Sequence, residues 1–587
     1  MNTKKNILYL YILTFPIALL FLSESWAYNP FGWLDHWSYF GSSYYYPRIQ
    51  QIFPQHPMSE LIPVYMINSI LFNLFDIAGA RLLRASVFLS LGLGFVFYIS
   101  NSITGSKYRS YISSVAYGTY LYTLSAVGSD YTEIYIQLEL LFSISCILGF
   151  YKENDIYKQS LWLVSFGFSI SLLIMTAILS IVYIIILVIF YLSVICTRYK
   201  FFSNYRFSLN PLFGFLLGTC FFGLSLYNLN GTFLIINNIR KLFSFLGGAY
   251  QAPAFSLWIN EASWLILPGA IIVSSFLYIL LKINRTKPTN VIKIIFINSL
   301  EIKYLLFCIA VSSSLLFINI VVKQWALQFL YFGQTTPIYF IAMSILLFRL
   351  DKYSTRNKTL VCIFFTIFSA LGYYYSGLSE HNFSQIIQFI HNNYVSPIAI
   401  IFLILLISII LSFKFDFFVY IFLSLYIVFN MYSFSPTFGC FTCADGASKY
   451  INRPIYMNSN RKILNLTLYL SRLLDVNDYS RKSMIWFSDD DNLGAITRQS
   501  FAMNYLNSGT SLINKEYPFL NNFSGPIGST GTYPVVGNRI LGIIYNQSDC
   551  RSGLKTLQER GFNIEKFNQI DYHYNDQLVI KFCEFLI

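Results

Sequence analysis

The chain has 587 residues, of which 55% are apolar, 19% aromatic and only 11% charged. This charged fraction is about half the usual share of soluble globular proteins, so the composition excludes a soluble multidomain protein, a disordered chain and a small disulfide-rich protein. The net charge of +13 does not form one basic patch, because the first 433 residues carry 25 basic and 14 acidic residues and the last 154 carry 15 and 13. The excess belongs to the apolar part, and no nucleic-acid partner is predicted.

Apolar runs approaching the ~20 residues that cross a bilayer recur along the first 433 residues. Thirteen helices are predicted, near 6–23, 84–100, 110–127, 134–150, 161–178, 180–196, 209–227, 264–281, 303–322, 332–348, 359–376, 395–412 and 417–433. The sequence therefore predicts a polytopic α-helical membrane protein with about 13 transmembrane helices in residues 1–433.

The loop charges predict an orientation. With Lys4 and Lys5 inside, the inner connectors hold 19 basic and 5 acidic residues, and the outer side holds 6 and 9. Since Lys and Arg resist translocation, we expect a multi-pass protein of the cytoplasmic (inner) membrane with a cytoplasmic amino terminus. The alternative that the first run is a cleaved signal peptide would leave twelve spans.

Residues 434–587 change character and would lie outside. Strand-like runs are predicted at Ser483–Phe487, Val535–Tyr545 and Gln577–Phe585, and helical spacing at Lys462–Leu474 and Gly553–Arg560. These elements predict a C-terminal extracytoplasmic α/β domain. An acidic run at 489–491 is typical of a solvated turn and, less often, of a cation site.

Cysteines divide between the two parts. Five lie in or at predicted spans and are expected to be small buried apolar residues: Cys146, Cys196, Cys220, Cys308 and Cys362. Four lie in the tail: Cys440, Cys443, Cys550 and Cys583. Cys440 and Cys443 have zinc-ligand spacing, but an even number outside the cytosol favours two disulfides, whose pairing is left open among three.

The first outer loop, at about residues 24–83, is the region richest in polar residues. It is aromatic-rich and carries Asp35 soon after the first helix, then His56 and an apolar segment, with Arg81 and Arg84 at the start of the second span. An interfacial aromatic belt with an incidental Asp is the alternative interpretation. The two arginines are expected either to reach the surface or to hold a phosphate.

Further polar residues fall on other outer turns. Asp130 and Glu133 lie between the third and fourth spans, where a helix N-terminal capping box and an active-site role are both compatible with the spacing. Three basic residues are expected on the outer side although basic residues are concentrated on the inner side: Arg240, Lys241 and Lys323. The alternative interpretation is that they are ordinary surface residues.

At these residues the sequence resembles the GT-C membrane glycosyltransferases, closest to the branch of the protein O-mannosyltransferases and aminoarabinose transferases. The resemblance rests on the inside amino terminus, the early Asp35, His56-Pro57 followed by an amphipathic run, Arg81-Leu82, and Asp130 on the second outer turn. It covers about the first 150 residues. His36 stands where the mannosyltransferases have a second acid.

The resemblance implies inverting transfer of a sugar from a polyprenyl-phosphate donor to a glycan, lipid or protein acceptor on the outer face. Asp35 would be the base that takes the acceptor proton. Asp130 would assist it. The lipid phosphate leaving group needs positive charge rather than an acid. The candidate substrate-binding residues are Glu133, His56, Arg81, Arg84, Arg240, Lys241 and Lys323. No cofactor is predicted with certainty, and a divalent cation stays open because no tight ligand motif is present.

Two other functions remain open at this point. A glycan polymerase or ligase would use outer Arg and His residues in place of a first-loop Asp. A lipid-linked glycan flippase or a solute transporter would keep polar sites near the middle of the membrane, whereas the predicted spans here are almost free of charge.

Overall fold

A computed structural model of the chain describes the elements that position the candidate site. The described residues are 14–21, 24–27, 43, 61–128, 132–177, 180–198, 206–230, 266–286, 299–321, 333–352, 354, 356–358, 407, 423, 426, 460–476, 485–488, 519–520, 539–545, 550–559, 563–576 and 578–586.

Helices dominate the described part of the first 433 residues. They are α1 (14–21), α2 (Ile62–Leu74), α3 (Ile77–Thr104), α4 (Lys107–Thr119), α5 (Leu121–Gly128), α6 (Glu133–Lys152), α7 (Ile156–Thr176), α8 (Ile181–Arg198), α9 (Arg206–Asn230), α10 (Ile266–Thr286), α11 (Leu300–Val321) and α12 (Thr336–Leu346). A short 3-10 helix, Phe348–Lys352, follows α12.

Four of the described helices are long and apolar enough to cross a membrane: α3, α6, α7 and residues Leu300–Phe317 of α11. Shorter apolar helices accompany them, among them Ile181–Cys196 and Thr336–Leu346. The chain is therefore a multi-pass membrane protein, as predicted. The number of thirteen spans stays a prediction, because the three spans expected at 359–376, 395–412 and 417–433 lie almost entirely outside the described residues.

Several helices differ from the predicted ones. Helix α3 begins at Ile77, seven residues early, because the side chain of Asp76 caps it by accepting from the amide of Gly79 at 3.3 Å. The single span expected at 110–127 is two helices that meet at Tyr120, whose ψ of 132° is extended. Helix α2 was not predicted as a separate element, because 13 residues are too few to cross a membrane.

Small residues let the helices of the bundle approach closely. A Cβ at Gly167 of α7 would lie 1.8 Å from the carbonyl oxygen of Pro211 in α9, and one at Gly214 of α9 would lie 1.9 Å from that of Val164. Such contacts between backbones are typical of membrane helices, which gain stability from close packing rather than from removal of apolar surface from water.

The tail contains a five-stranded mixed sheet with strand order β2-β1-β3-β5-β4. The strands are β1 (Ile485–Ser488), β2 (Phe519–Leu520), β3 (Arg539–Tyr545), β4 (Lys566–Asn575) and β5 (Leu578–Leu586), and two helices accompany them, α13 (Asn460–Val476) and α14 (Cys550–Glu559). Strand β1 is parallel to β2 and β3, and β5 is antiparallel to β3 and β4. The three predicted strands and both predicted helices are present. Strand β4 was missed because its exposed edge position leaves no apolar pattern.

A disulfide joins Cys550, the first residue of α14, to Cys583 in β5, with the Cα atoms 5.6 Å apart. This bridge selects one of the three open pairings. Cys440 and Cys443 lie outside the described residues. Of the cysteines expected to be buried in the spans, Cys146 and Cys308 are buried, whereas Cys196 and Cys220 are exposed on the outside of the helices.

Candidate active site

Two buried arginines lie near the start of α3. Arg81 and Arg84 are three residues apart on one helix, so their side chains share a face. They are only 3% and 2% exposed. The interpretation in which they extend to the membrane surface is therefore wrong. Because α3 begins at Ile77 rather than near Arg84, both arginines lie inside the helix and face the protein interior.

Arg84 belongs to a buried polar cluster, here called the Arg84 cluster, which contains Ser43, Asn68, Arg84, Gly128 and Tyr135. Arg84 Nη1 donates to Asn68 Oδ1 at 3.0 Å, and Tyr135 OH donates to the same oxygen at 2.7 Å. Arg84 Nη2 donates to the carbonyl of Gly128 at 3.4 Å, and Asn68 Nδ2 donates to Ser43 Oγ at 3.4 Å. The cluster thus joins α2, α3, α5, α6 and Ser43 of the loop between α1 and α2.

Arg81 contacts a second part of the first loop. Its Nη1 donates to the carbonyl of Ala27 at 2.7 Å. Ala27 closes a turn over residues 24–27, in which the amide of Ala27 donates to the carbonyl of Glu24 at 2.9 Å. Glu24 has a φ of 52°, in the left-handed region that non-glycine residues seldom adopt. The surrounding contacts hold this strained turn in place.

The turn also packs against the end of α5. A Cβ at Gly128 would lie 1.7 Å from the carbonyl oxygen of Ser25, so only glycine permits this approach. Gly128 itself accepts from Arg84. Gly128 therefore contacts both the turn at residues 24–27 and Arg84, so it links the turn to the rest of the Arg84 cluster.

Glu133 begins α6 close to this cluster in the chain. It is 5% exposed, and its Oε2 has no hydrogen-bond partner among the residues that the structure describes. The N-cap of α6 is Thr132, which makes no side-chain capping bond, and Glu133 is the first helical residue. The capping-box interpretation of Asp130 and Glu133 is therefore wrong, because that box requires Asp130 as the N-cap. A carboxylate at this helix end lies where the helix dipole favours negative charge.

A second set of buried polar contacts lies one turn further along α6. Tyr117 OH donates to Gln137 Oε1 at 2.7 Å, and Gln137 Nε2 donates to the carbonyl of Gly333 at 2.8 Å. Tyr183 OH donates to Gln334 Oε1 at 2.9 Å. These bonds fix the chain just before α12, which was expected to begin near residue 332 and begins at Thr336.

The structure describes three of the predicted site residues, Arg81, Arg84 and Glu133, and it places them at the end of the bundle where α3 and α6 begin. Six others lie outside the described residues: Asp35, His56, Asp130, Arg240, Lys241 and Lys323. The sequence did not single out Asn68, Tyr135 and Gln137. Asn68 and Gln137 did carry a signal, because each is an amide within a mainly apolar helix.

No group of three or more His, Cys, Asp or Glu side chains that could hold a metal ion occurs among the described residues. Glu139, a carboxylate within α6, accepts from Thr176 Oγ1 at 2.6 Å and so joins α6 to the end of α7.

No protein-family model matches the chain, and no curated protein matches it significantly. Its fold is similar to the crystal structure of ArnT from Cupriavidus metallidurans bound to undecaprenyl phosphate, with a TM-score of 0.53 and 10% identity over 98% of this chain and 97% of that one. A second similar structure is an oligosaccharyltransferase from Archaeoglobus fulgidus tethered to an acceptor peptide. That alignment covers 84% of this chain and 63% of the other chain, with 12% identity and a TM-score of 0.41.

The likeness to ArnT covers nearly the whole length of both chains. It shows that this chain shares the fold of that structure.

Proposed function

We propose that the chain is a membrane glycosyltransferase that takes a sugar from a polyprenyl-phosphate donor and transfers it to a glycan, lipid or protein acceptor. The observation that carries this proposal is the near full-length fold likeness to ArnT, whose crystal structure holds undecaprenyl phosphate. The two chains are alike over almost their whole lengths, since 98% of this chain aligns with 97% of that one.

The local chemistry supports the same function. Arg81, Arg84 and Glu133 are buried at one end of the bundle, and Arg81 bonds to Ala27, which lies eight residues before Asp35 in the sequence. Charged groups are costly inside a membrane protein and mark functional sites there by default. Their gathering at one end suits a reaction at the membrane surface, where a lipid phosphate and a polar acceptor can meet.

In the proposed reaction, Asp35 accepts the proton of the acceptor hydroxyl as its oxygen bonds to the anomeric carbon of the sugar. The bond from that carbon to the phosphate oxygen breaks at the same time, so the anomeric configuration inverts. The leaving group is a phosphate anion, which Arg240, Lys241 and Lys323 stabilise by charge. Asp130 and Glu133 orient the acceptor or the donor, and His56 contributes to binding.

The site belongs on the outer face of the cytoplasmic membrane in this proposal. The amino terminus is then cytoplasmic, and residues 434–587 form an extracytoplasmic domain beside the site. A divalent cation between phosphate and carboxylates stays compatible with the acidic residues of the loops, and no step of the reaction depends on it.

The test is a transfer assay with the purified full chain in phospholipid nanodiscs. Undecaprenyl phosphate carrying radiolabelled glucose, mannose, galactose or aminoarabinose is supplied with total envelope lipids and glycans of the source cells as acceptors. We expect label to leave one of these donors only when the protein is present, and nucleotide-linked sugars to be inactive. Failure of every lipid-linked donor would contradict the proposal.

The same preparation separates the alternatives. A polymerase or ligase would use a lipid carrier that bears a preassembled glycan as its donor, and would not use a carrier that bears a single sugar. A flippase or transporter would move the lipid-linked sugar across a proteoliposome membrane with its sugar-phosphate bond intact.

A further inference from the structure

We propose that Arg81 and Arg84 are positioning residues that hold the two ends of the loop segment 28–42, which carries Asp35. The proposal rests on the proposed function, because it assigns the arginines a task in that same site. It differs from the sequence expectation that they bind the donor phosphate.

The first end of the segment is Ala27. Its carbonyl accepts from Arg81 at 2.7 Å, and the residue is fully buried. The turn before it is fixed by the left-handed Glu24 and by the approach of Ser25 to Gly128. The chain therefore enters the segment from a point with little freedom.

The second end is Ser43, which is also fully buried. Its hydroxyl accepts from Asn68, and Asn68 in turn accepts from both Arg84 and Tyr135. Arg84 orients the Asn68 amide through a charge-assisted bond to the amide oxygen, which leaves the amide nitrogen to reach Ser43. Arg84 acts on Ser43 through Asn68.

Both anchors start from one helix. Arg81 and Arg84 are neighbours on the same face of α3, and Arg81 holds Ala27 directly whereas Arg84 holds Ser43 through Asn68 of α2. A catalytic base must be held to within a fraction of an ångström of its productive position, which requires that its supporting residues be fixed by packing and hydrogen bonds. A guanidinium can bond two acceptors at fixed angles, as Arg84 does with Asn68 and Gly128, and an ammonium group cannot reproduce that geometry.

The test compares Arg81→Lys, Arg81→Gln, Arg84→Lys, Arg84→Gln and Asn68→Ala in the full chain. The first readout is amide hydrogen exchange of peptides containing Ala27 or Ser43. We expect Arg81 variants to raise exchange at Ala27 and Arg84 or Asn68 variants to raise it at Ser43, by about tenfold or more, as for a local opening made easier.

A matched control is Arg109→Gln. Arg109 is also a buried arginine, but its Nε pairs with Asp351 at 2.9 Å, between α4 and the 3-10 helix. This variant should leave exchange at Ala27 and Ser43 unchanged. Unchanged exchange in the Arg81 and Arg84 variants would overturn the proposal, whether or not the protein transfers sugar.

Kinetics supply the second readout once a donor is known. Positioning predicts that kcat falls while the KM for the lipid-linked donor stays within about twofold, and that the lysine variants, which keep the charge, are not rescued. Neutral Asn68→Ala should reproduce Arg84→Gln, and the double variant should lose no more than the worse single one. A raised donor KM with full rescue by lysine would establish phosphate binding instead and overturn the positioning role.

Discussion

The carboxylate of Glu24 accepts a hydrogen bond from the backbone amide of Arg461 at 3.0 Å, between residues that are 437 positions apart. Arg461 lies in the first turn of α13, where helix amides have no partner within the helix. Glu24 therefore caps a tail helix with a side chain from the loop that follows α1. The ring of Tyr469 in the same helix packs at a tilt against that of Tyr574 in β4, with ring centroids 5.0 Å apart, so α13 connects the sheet to the loop.

This contact predicts that a substitution at Glu24 changes the stability of the first turn of α13. Glu24→Ala should remove a cap worth about 0.5–2 kcal/mol and so raise hydrogen exchange at the amide of Arg461 by roughly 2- to 30-fold. Glu24→Gln should have a smaller effect because its amide oxygen still accepts. Asp76→Ala, which removes the cap of α3, is the control and should leave Arg461 unaffected. Equal exchange in the wild type and Glu24→Ala would show that the contact contributes nothing.

A second prediction concerns Glu133. Glu133→Gln keeps the shape of the side chain and removes its carboxyl group, so we expect sugar transfer to fall by at least about tenfold with little change in thermal stability. Glu153 at the other end of α6 offers the control, since it is a solvent-side carboxylate that accepts from the amides of Asn154 and Asp155. Glu153→Gln should transfer normally. If both variants transfer at the wild-type rate, Glu133 has no part in the reaction.

The tail disulfide gives a third prediction. Non-reducing mass mapping should find Cys550 linked to Cys583, and by elimination Cys440 linked to Cys443. Replacing Cys550 and Cys583 with Ser should lower tail stability by about 2–4 kcal/mol, because the unfolded chain is no longer constrained. Replacing the exposed Cys196 and Cys220 should not. A free thiol at Cys583 in the oxidised protein would contradict the pairing.

Topology can be tested separately from chemistry. The distribution of 19 basic residues inside and 6 outside predicts that a cysteine introduced at Ser524 is labelled by an impermeant reagent from outside, and that one at Thr286 is not. The labelling is done in intact cells, with permeabilised cells showing that both positions react. The opposite pattern would reverse the orientation and place the tail in the cytoplasm.

The helices that the sequence predicted well are those with long, mostly apolar runs, such as α6 and α8, whose predicted and observed ends agree within two residues. The local sequence pattern was insufficient where tertiary contacts determine the ends of a helix. Only Gly118 marks a break near Tyr120 in the sequence, and one glycine within an apolar run did not predict it. Two short helices meet there beside the buried ring of Phe340, whose centroid lies 5.2 Å from that of Tyr120. Helix α2 was obscured because it is too short to span and lies in a loop.

The candidate site shows the same limit. The sequence identified Arg81 and Arg84 as significant from their charge in an apolar region. It could not show that their partners are Ala27 and Asn68, because those contacts join residues 54 and 16 positions away. Similarly, the spacing of Asp130 and Glu133 suggested a capping box, and only the backbone of α6 shows that the cap is Thr132.

The most direct test of the proposed glycosyltransferase is the rate of sugar transfer by Asp35→Asn. The substitution keeps the volume of the side chain and removes its proton affinity, so transfer from the undecaprenyl-phosphate donor should fall by about 10²–10⁴-fold while expression and membrane insertion persist. Arg48→Gln, in the same loop, should have a much smaller effect. Transfer by Asp35→Asn at the wild-type rate would contradict the assignment of the base and with it the central claim.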